Sequence, residues 1–418
     1  SSVSTLASAG AFSTPSLCGL RQSRLAGFAC LPERAIRDSA RHIDLPRLSP
    51  LRPTGYITQI LRMYKNKSRR PQRVSESDRT LRFGTAALFR GDALEAYEQW
   101  STPTCIISDG PYGLGKFPGE PTSVTSLAEW YAPHIAAWAQ WSSPDTTLWV
   151  WCSERGWASI HSTIELHGWE YEEANVWDKG IAHIAGNVNS KTIRGTPVVT
   201  ELAVRYTRRV SLTNASGVPL SMKQWVREEW LRSGLPLYLA NDACGVANAA
   251  TRKYLTQDEM FYFPPPDMLV KMAKYCTKFG KKTDRPYFSL DGKSHVTEAA
   301  WTRMRAKWNH SHGVTNVWRE PPVHGSERIK IPGETGYAHA NQKPLALMRR
   351  QVLASTDPGD VVWEPFGGTC SASVAAIAAG RTSFAAEVNP AFAAVAASRL
   401  GAATEQSDFF SRRLRVSG

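Results

Sequence analysis

Two short stretches carry residues whose types and spacing could do chemistry. In the first, Phe366-Gly367-Gly368-Thr369 reads as a tight turn where backbone must come close to something. Glu387 follows at the end of the next apolar run. An acid in that position suits a ribose, whose two hydroxyls can both donate to one carboxylate, so a nucleoside-containing cofactor is the expected ligand. The second stretch, Asp109-Gly110-Pro111-Tyr112, follows the apolar run Cys105-Ile106-Ile107. It brings a carboxylate and an aromatic ring to the carboxyl end of a buried strand, where open α/β sheets hold their ligands. Taken alone, the first stretch would also suit an ordinary strand-turn-helix of any α/β domain.

The elements that must position these residues are legible around them. Val361 to Trp363 reads as a strand, Ser371 to Ala379 as a small-residue helix stopped by Gly380, and Thr382 to Ala386 as a second strand. Earlier, Ala87 to Arg90 reads as a short strand closed by Gly91-Asp92, ahead of a helix from Ala93 to Trp100. An Asp at a helix start is by itself an N-cap. Leu127 to Trp141 is an amphipathic helix whose Trp130, His134, Trp138 and Trp141 recur at core-facing spacing. Thr147 to Cys152, Glu170 to Trp177 and Glu201 to Tyr206 read as strands, with a helix from Ala158 to His167. Residues 180 to 197, rich in Gly and Asn, form a candidate mobile loop over the site. Beyond Leu400 the tail is expected to fray.

Three motifs, in order, identify a family. Asp109 to Tyr112 reads DGPY, residues 339 to 344 read HANQKP, and residues 364 to 371 read EPFGGTCS. They resemble the DPPY-, HPTQKP- and DPFxGxGT-like stretches of the DNA amino-methyltransferases, in the order of the permuted beta group. The likeness runs from about residue 80 to 402, and Trp177-Asp178-Lys179 resembles the family's W-x-K. It implies an α/β fold, a Rossmann-like methyltransferase sheet with helices on both faces, plus a mainly helical inserted target-recognition domain. It also implies S-adenosylmethionine as cofactor, held by Asp92, Lys343, Glu364, Phe366, Gly367, Gly368, Thr369, Glu387 and Asn389. Asp109, Gly110, Pro111 and Tyr112 are then catalytic. Asp109 and the Gly110 carbonyl accept the hydrogens of an exocyclic base amine, Pro111 stiffens the turn, and Tyr112 stacks on a flipped base. No metal is implied.

In the family that the motifs resemble, Asp at the head of the tetrapeptide favours adenine-N6, so adenine is the implied target. Cytosine-N4 methylation and a catalytically weak DNA-binding relative are the alternatives. Two departures stand out. Gly110 replaces a proline, which removes rigidity, and Cys370 replaces a glycine of the cofactor turn, where a bulkier side chain would narrow the methionine pocket.

The implied organisation is an extension over 1–75, the catalytic half of the core over 76–209, a DNA target-recognition insertion over 210–318 and the cofactor half over 319–418. With 50 Lys and Arg against 37 Asp and Glu, the chain carries a net charge of +13, which suits a polyanion such as double-stranded DNA. Part of that excess lies in the Ser-, Arg- and Pro-rich extension. Its residues 1–62 read as in-frame sequence upstream of a start at Met63 or as a disordered segment, in preference to the alternative of a targeting signal. In the insertion, Leu237 to Leu255 has helix-turn-helix spacing, with a plain helical hairpin as the alternative. Arg252 and Lys253 there, and Lys271 and Lys274 on the Lys-rich helix Met268 to Phe279, are the expected phosphate contacts. Seven cysteines without a close CxxC pair argue against a zinc site and a disulfide scaffold, and no apolar run nears the roughly 20 residues of a membrane span. The expected setting is a prokaryotic or phage-like cytoplasm, with a cognate restriction endonuclease and a homodimer as further expected partners.

Overall fold

The computed structural model describes residues 79–416 apart from 116–118, 184–193, 215, 331–336 and 339–340. The N-terminal extension, the centre of the 180–197 loop, and His339 and Ala340 of the HANQKP motif therefore lie outside the described residues. The strands are β1 Thr80–Phe83, β2 Ala86–Arg90, β3 Cys105–Ser108, β4 Thr147–Cys152, β5 Trp169–Asp178, β6 Thr200–Arg208, β7 Leu212–Thr213, β8 Pro219–Leu220, β9 Val317–Arg319, β10 Val361–Glu364 and β11 Thr382–Glu387. The α-helices are α1 Leu127–Trp141, α2 Glu154–Leu166, α3 Met222–Arg232, α4 Leu239–Cys244, α5 Ala249–Tyr254, α6 Pro266–Phe279, α7 Glu298–Thr302, α8 Leu345–Ser355, α9 Ser371–Ala378 and α10 Pro390–Val416.

Among the described residues, nine strands form one sheet in the order β1-β2-β11-β10-β3-β4-β6-β5-β9. The five from β2 to β4 are mutually parallel, while β6 runs antiparallel to both β4 and β5. The carboxyl ends of the parallel strands, the start of β6 and the end of β5 thus share one edge. β3 leads through α1 to β4 on one side, and β10 leads through α9 to β11 on the other. The order reverses between β3 and β10, which makes the crevice that α/β sheets use for ligands.

Strand side chains alternate between two packed layers. Ile106, Leu148 and Val150 pack with Tyr131, Ile135 and Trp138 of α1. Ile107, Trp149 and Trp151 point the other way, to Leu347, Met348 and Val352 of α8 and the alanines of α9. The Trp149 and Trp151 indoles donate to Ser355 and Gln351, so their polar ends are satisfied in the core. Between Leu212 and Trp301 a separate hydrophobic cluster gathers β7, β8 and helices α3 to α7 around Trp225, Trp230, Met272 and Trp301. Among the described residues no helix is long and apolar enough to cross a membrane.

Three elements differ from the sequence reading. The expected helix over 93–100 is a pair of 3-10 turns, Ala93–Glu95 and Tyr97–Gln99. A 3-10 turn aligns residues three apart, and here it puts both Tyr97 and Trp100 on Trp363, with ring centroids 5.3 and 5.1 Å away. α2 begins at Glu154 rather than Ala158, because Ser153 caps it by accepting from the Gly156 N–H at 3.1 Å. The segment beyond Leu400 continues as α10 to Val416. Ala396 and Leu400 are buried there, and the Thr404 hydroxyl is 3.2 Å from the Phe83 carbonyl of β1.

Candidate active site

The turn expected to hold the cofactor is built from β10 forward. Glu364, at the end of that strand, accepts from Ala372 N at 2.9 Å, Ser373 N at 2.8 Å and Ser373 Oγ at 2.6 Å. A strand carboxylate thereby caps α9, whose first N–H groups have no partner within the helix. Burial pushes this carboxyl up to about 7 against those hydrogen bonds. Between strand and helix, Gly368 (φ 52) and Cys370 (φ 55) both adopt left-handed backbone. That conformation turns the Cys370 thiol into the layer with Ala86, Leu88, Ala396 and Leu400, where it is fully buried. The cysteine side chain thus packs in this buried layer.

Glu387 ends β11 with its carboxylate against the turn, accepting from Gly368 N and Asn389 N, each at 2.7 Å. Burial raises its pKa above the usual carboxylate range, and those N–H groups oppose the shift. Asn389 caps α10 by accepting from Ala391 N at 2.9 Å. Asp92 follows neighbouring β2, where Gly91 N donates to the Glu387 carbonyl at 3.0 Å. Burial raises its pKa too, opposed by the Leu94 N–H that it accepts. Thr369 is held from α10 by Arg399, whose guanidinium donates to its carbonyl at 2.9 Å. The Phe366 ring stands 4.9 Å from His134 and 5.4 Å from Trp130 of α1. Burial drives the pKa of His134 down to about 3, so this imidazole is neutral. Trp130 and His134, expected as core, also wall the turn.

The tetrapeptide faces that turn across the β3/β10 junction. A Cβ at Gly110 would stand 2.4 Å from the Tyr131 hydroxyl and 2.6 Å from the Phe366 ring, so only glycine fits without movement. The same Tyr131 hydroxyl donates to the Pro111 carbonyl at 3.2 Å. Glu120 accepts the Tyr112 and Leu114 N–H groups at 3.0 and 3.3 Å. Tyr131 from α1 and Glu120 from further along the same loop thus hold backbone groups of the tetrapeptide where the family's first proline is missing.

Lys343, expected beside the cofactor, has its ammonium 2.6 Å from Asp109 Oδ1 and 3.3 Å from Glu201 Oε2. It precedes Pro344, which enters α8, and reaches under the tetrapeptide with its side chain only 3% exposed. The Tyr112 hydroxyl lies 3.2 Å from Asp109 and 3.1 Å from Glu201, and Lys179 is 2.5 Å from Glu201 Oε1. Burial pushes Lys343 down, but Asp109 and Glu201 outweigh it and hold its pKa above the usual lysine range. Burial likewise raises Glu201, and Lys343 and Lys179 outweigh it to leave the carboxyl below its usual range. Sequence reasoning missed Glu201 and Arg399. Glu201 opens a predicted strand on the ligand edge, which was the available signal. Nothing local marks Arg399.

The four expected phosphate contacts are not drawn into this crevice. Arg252 and Lys253 lie on α5, with the Lys253 ammonium 5.0 Å over the Tyr262 ring. Lys271 and Lys274 are exposed on α6, where Lys271 pairs with Asp267 at 3.1 Å. The helix-turn-helix-like stretch is two six-residue helices joined at Gly245 (φ 68), with Ala240, Cys244 and Ala250 buried in the separate cluster. A cavity of about 690 Å³, lined by Glu172, Arg205, Arg208, Arg305 and Trp308 among others, lies at the far end of β5 and β6, and none of the expected site residues lines it.

Known proteins of one family resemble the chain. The family described as DNA methylase matches residues 104–398. The DNA adenine methyltransferase YhdJ of Escherichia coli (strain K12) is 31% identical over 134 residues, which are 30% of this chain and 44% of that protein. The type II methyltransferase M.HinfI of Haemophilus influenzae is 39% identical over 85 residues, 20% of this chain and 23% of the relative. The chain thus spans less than half the length of these curated relatives. Among solved structures, the M1.HpyAVI–SAM complex aligns over 75% of this chain and 98% of its own, at 17% identity and a TM-score of 0.38. The cytosine-N4-specific PvuII DNA methyltransferase aligns over 78% and 93%, at 12% identity and a TM-score of 0.44.

Proposed function

The chain belongs to the DNA methylase family that acts on adenine N6 or cytosine N4, and on that premise we propose that it methylates the N6 amine of an adenine turned out of duplex DNA. The donor is S-adenosylmethionine, which when bound supplies a methyl group already activated on a sulfonium. The residues at the turn fit its nucleoside half. Glu387 spends one hydrogen bond per oxygen on backbone N–H groups, and a carboxylate has about four lone-pair sites, so acceptors remain for two ribose hydroxyls. Asp92 adds a second acid from the next strand, and Phe366 an apolar wall.

The observation that carries the reading is the meeting of turn and tetrapeptide at the β3/β10 crevice, close enough that a Cβ on Gly110 would overlap Phe366. An adenine amine is a poor nucleophile because its lone pair is delocalised into the ring. Asp109 Oδ1 is occupied by Lys343, and Oδ2 has no partner among the described residues. Oδ2 and the Gly110 carbonyl accept the two amine hydrogens and push the nitrogen towards tetrahedral geometry. The Tyr112 ring offers a face on which an extruded base stacks. Holding two reactants in line is worth about 7–11 kcal/mol in good cases.

Adenine is favoured by the Asp at the head of the tetrapeptide and by the adenine named for YhdJ. The proposal includes double-stranded DNA engaged by residues 210–318, and a cytoplasmic setting. The test is transfer of labelled methyl groups to duplex DNA, followed by digestion to nucleosides and identification of the modified base by mass. N6-methyladenine is the expected product. N4-methylcytosine would replace the base assignment, and no transfer would leave a DNA-binding relative without turnover.

A further inference from the structure

Four charged side chains from four segments form one alternating line: Asp109 after β3, Lys343 before α8, Glu201 on β6 and Lys179 after β5. The three links are 2.6, 3.3 and 2.5 Å. Two carboxylates and two ammonium groups sum to zero, which lets the line sit at low exposure, with side chains 21%, 3%, 17% and 13% exposed in that order. Glu201 is the joint. Its Oε2 meets Lys343 and the Tyr112 hydroxyl, and its Oε1 meets Lys179. Backbone pairing fixes it as well, since it lies opposite Trp177 in the β5/β6 ladder.

We infer that Glu201 is a positioning residue for methyl transfer: it holds Lys343 against Oδ1 of Asp109, so that Oδ2 is left for the substrate amine. The inference rests on the reading of Asp109 as the amine acceptor and adds what keeps that acceptor in place. Without Glu201, the Lys343 ammonium would be free to move along the Asp109 carboxylate and cover the oxygen the substrate needs. Lys343 is faced by Asp109 and Tyr112 from the loop after β3, by Trp151 and Cys152 from β4 and by Glu201 from β6, with Lys179 beyond. Glu201 is therefore one of the two carboxylates that keep Lys343 charged.

The test is single-turnover methyl transfer by the full chain on duplex DNA across pH, with cofactor affinity measured in parallel. Glu201→Gln keeps the shape and removes the charge. It is expected to slow transfer by about 100-fold, the scale of a small misplacement of a reacting group, while cofactor affinity stays within about two-fold. The alkaline limb of its rate profile is expected at lower pH than in the parent, because one of the two carboxylates that raise Lys343 is gone. Glu201→Asp restores the charge and is expected to return the limb to the parent position. Transfer at the parent rate by Glu201→Gln, or slower transfer with an unmoved limb, would overturn the inference. Should Glu201→Gln fail to fold, Lys179→Met decides. Removing the outer cation raises the Glu201 carboxyl, so the acid limb is expected at higher pH, and an unmoved acid limb rejects the positioning role. Absence of transfer by the unsubstituted chain would instead reject Asp109 as acceptor, and the clamp with it.

Discussion

Glu387 and Cys370 show how much a side chain's role depends on where the backbone aims it. Glu387 was legible because strand, turn, helix, strand and acid follow one another within residues 361 to 387, so local order alone brings it to the turn. Glu387→Ala is expected to weaken S-adenosylmethionine binding by about 1.5–3 kcal/mol, the range for hydrogen bonds to a charged group. Calorimetry that finds an unchanged dissociation constant would remove Glu387 from the site. Cys370 was read only as added bulk in the expected cofactor turn, and its place in the fold was not legible: a left-handed φ of 55° aims it into a buried layer. Gly110 was judged by what it lacks. Its reason is the Tyr131 hydroxyl, which takes the space of a Cβ and holds the next carbonyl.

Among the elements, the strands that build the ligand edge were readable because apolar β-branched and aromatic runs of four to ten residues admit few alternatives. The helix start missed at α2 and the 3-10 turns at 93–99 were decided by capping and by aromatic packing onto Trp363. Helix α9 makes a pH prediction. Glu364 keeps its proton to about 7 when folded and loses it near 4.5 when unfolded. Between those values the folded chain binds more protons than the unfolded one, so this group's contribution to stability falls as pH rises through the window. Glu364→Gln cannot titrate. The melting temperature of the parent relative to Glu364→Gln is therefore expected to decline from pH 4.5 to 7 and then level off. Scanning calorimetry at a series of pH values checks it, and a parallel pair of curves would show that Glu364 is ionised throughout.

At the scale of the whole molecule, the expected phosphate-binding cations and the candidate active site occupy different parts of the chain. Asp109 and Glu387 flank one crevice, whereas Arg252, Lys253, Lys271 and Lys274 ride on helices built around a core of their own. If these four cations meet phosphates, replacing all of them with Ala is expected to make the fall of log affinity for DNA with log salt shallower by up to about 3.6, at about 0.9 for each phosphate no longer neutralised. Cofactor affinity is expected to be unchanged. A salt slope equal to the parent's would move the DNA contact to other surfaces.

The sequence by itself determined the order of the elements, the family and the two stretches that meet at the crevice. Each of these rests on neighbours along the chain: an apolar run, a glycine turn, an acid at the next strand end. Only the tertiary structure decided who stands beside Asp109. Lys343 lies 234 residues away from it and Glu201 lies 92 away, and no local pattern links them. The sheet brings them together because β3, β4 and β6 are neighbours whose ligand ends coincide, and a buried ammonium there must find carboxylates to remain charged.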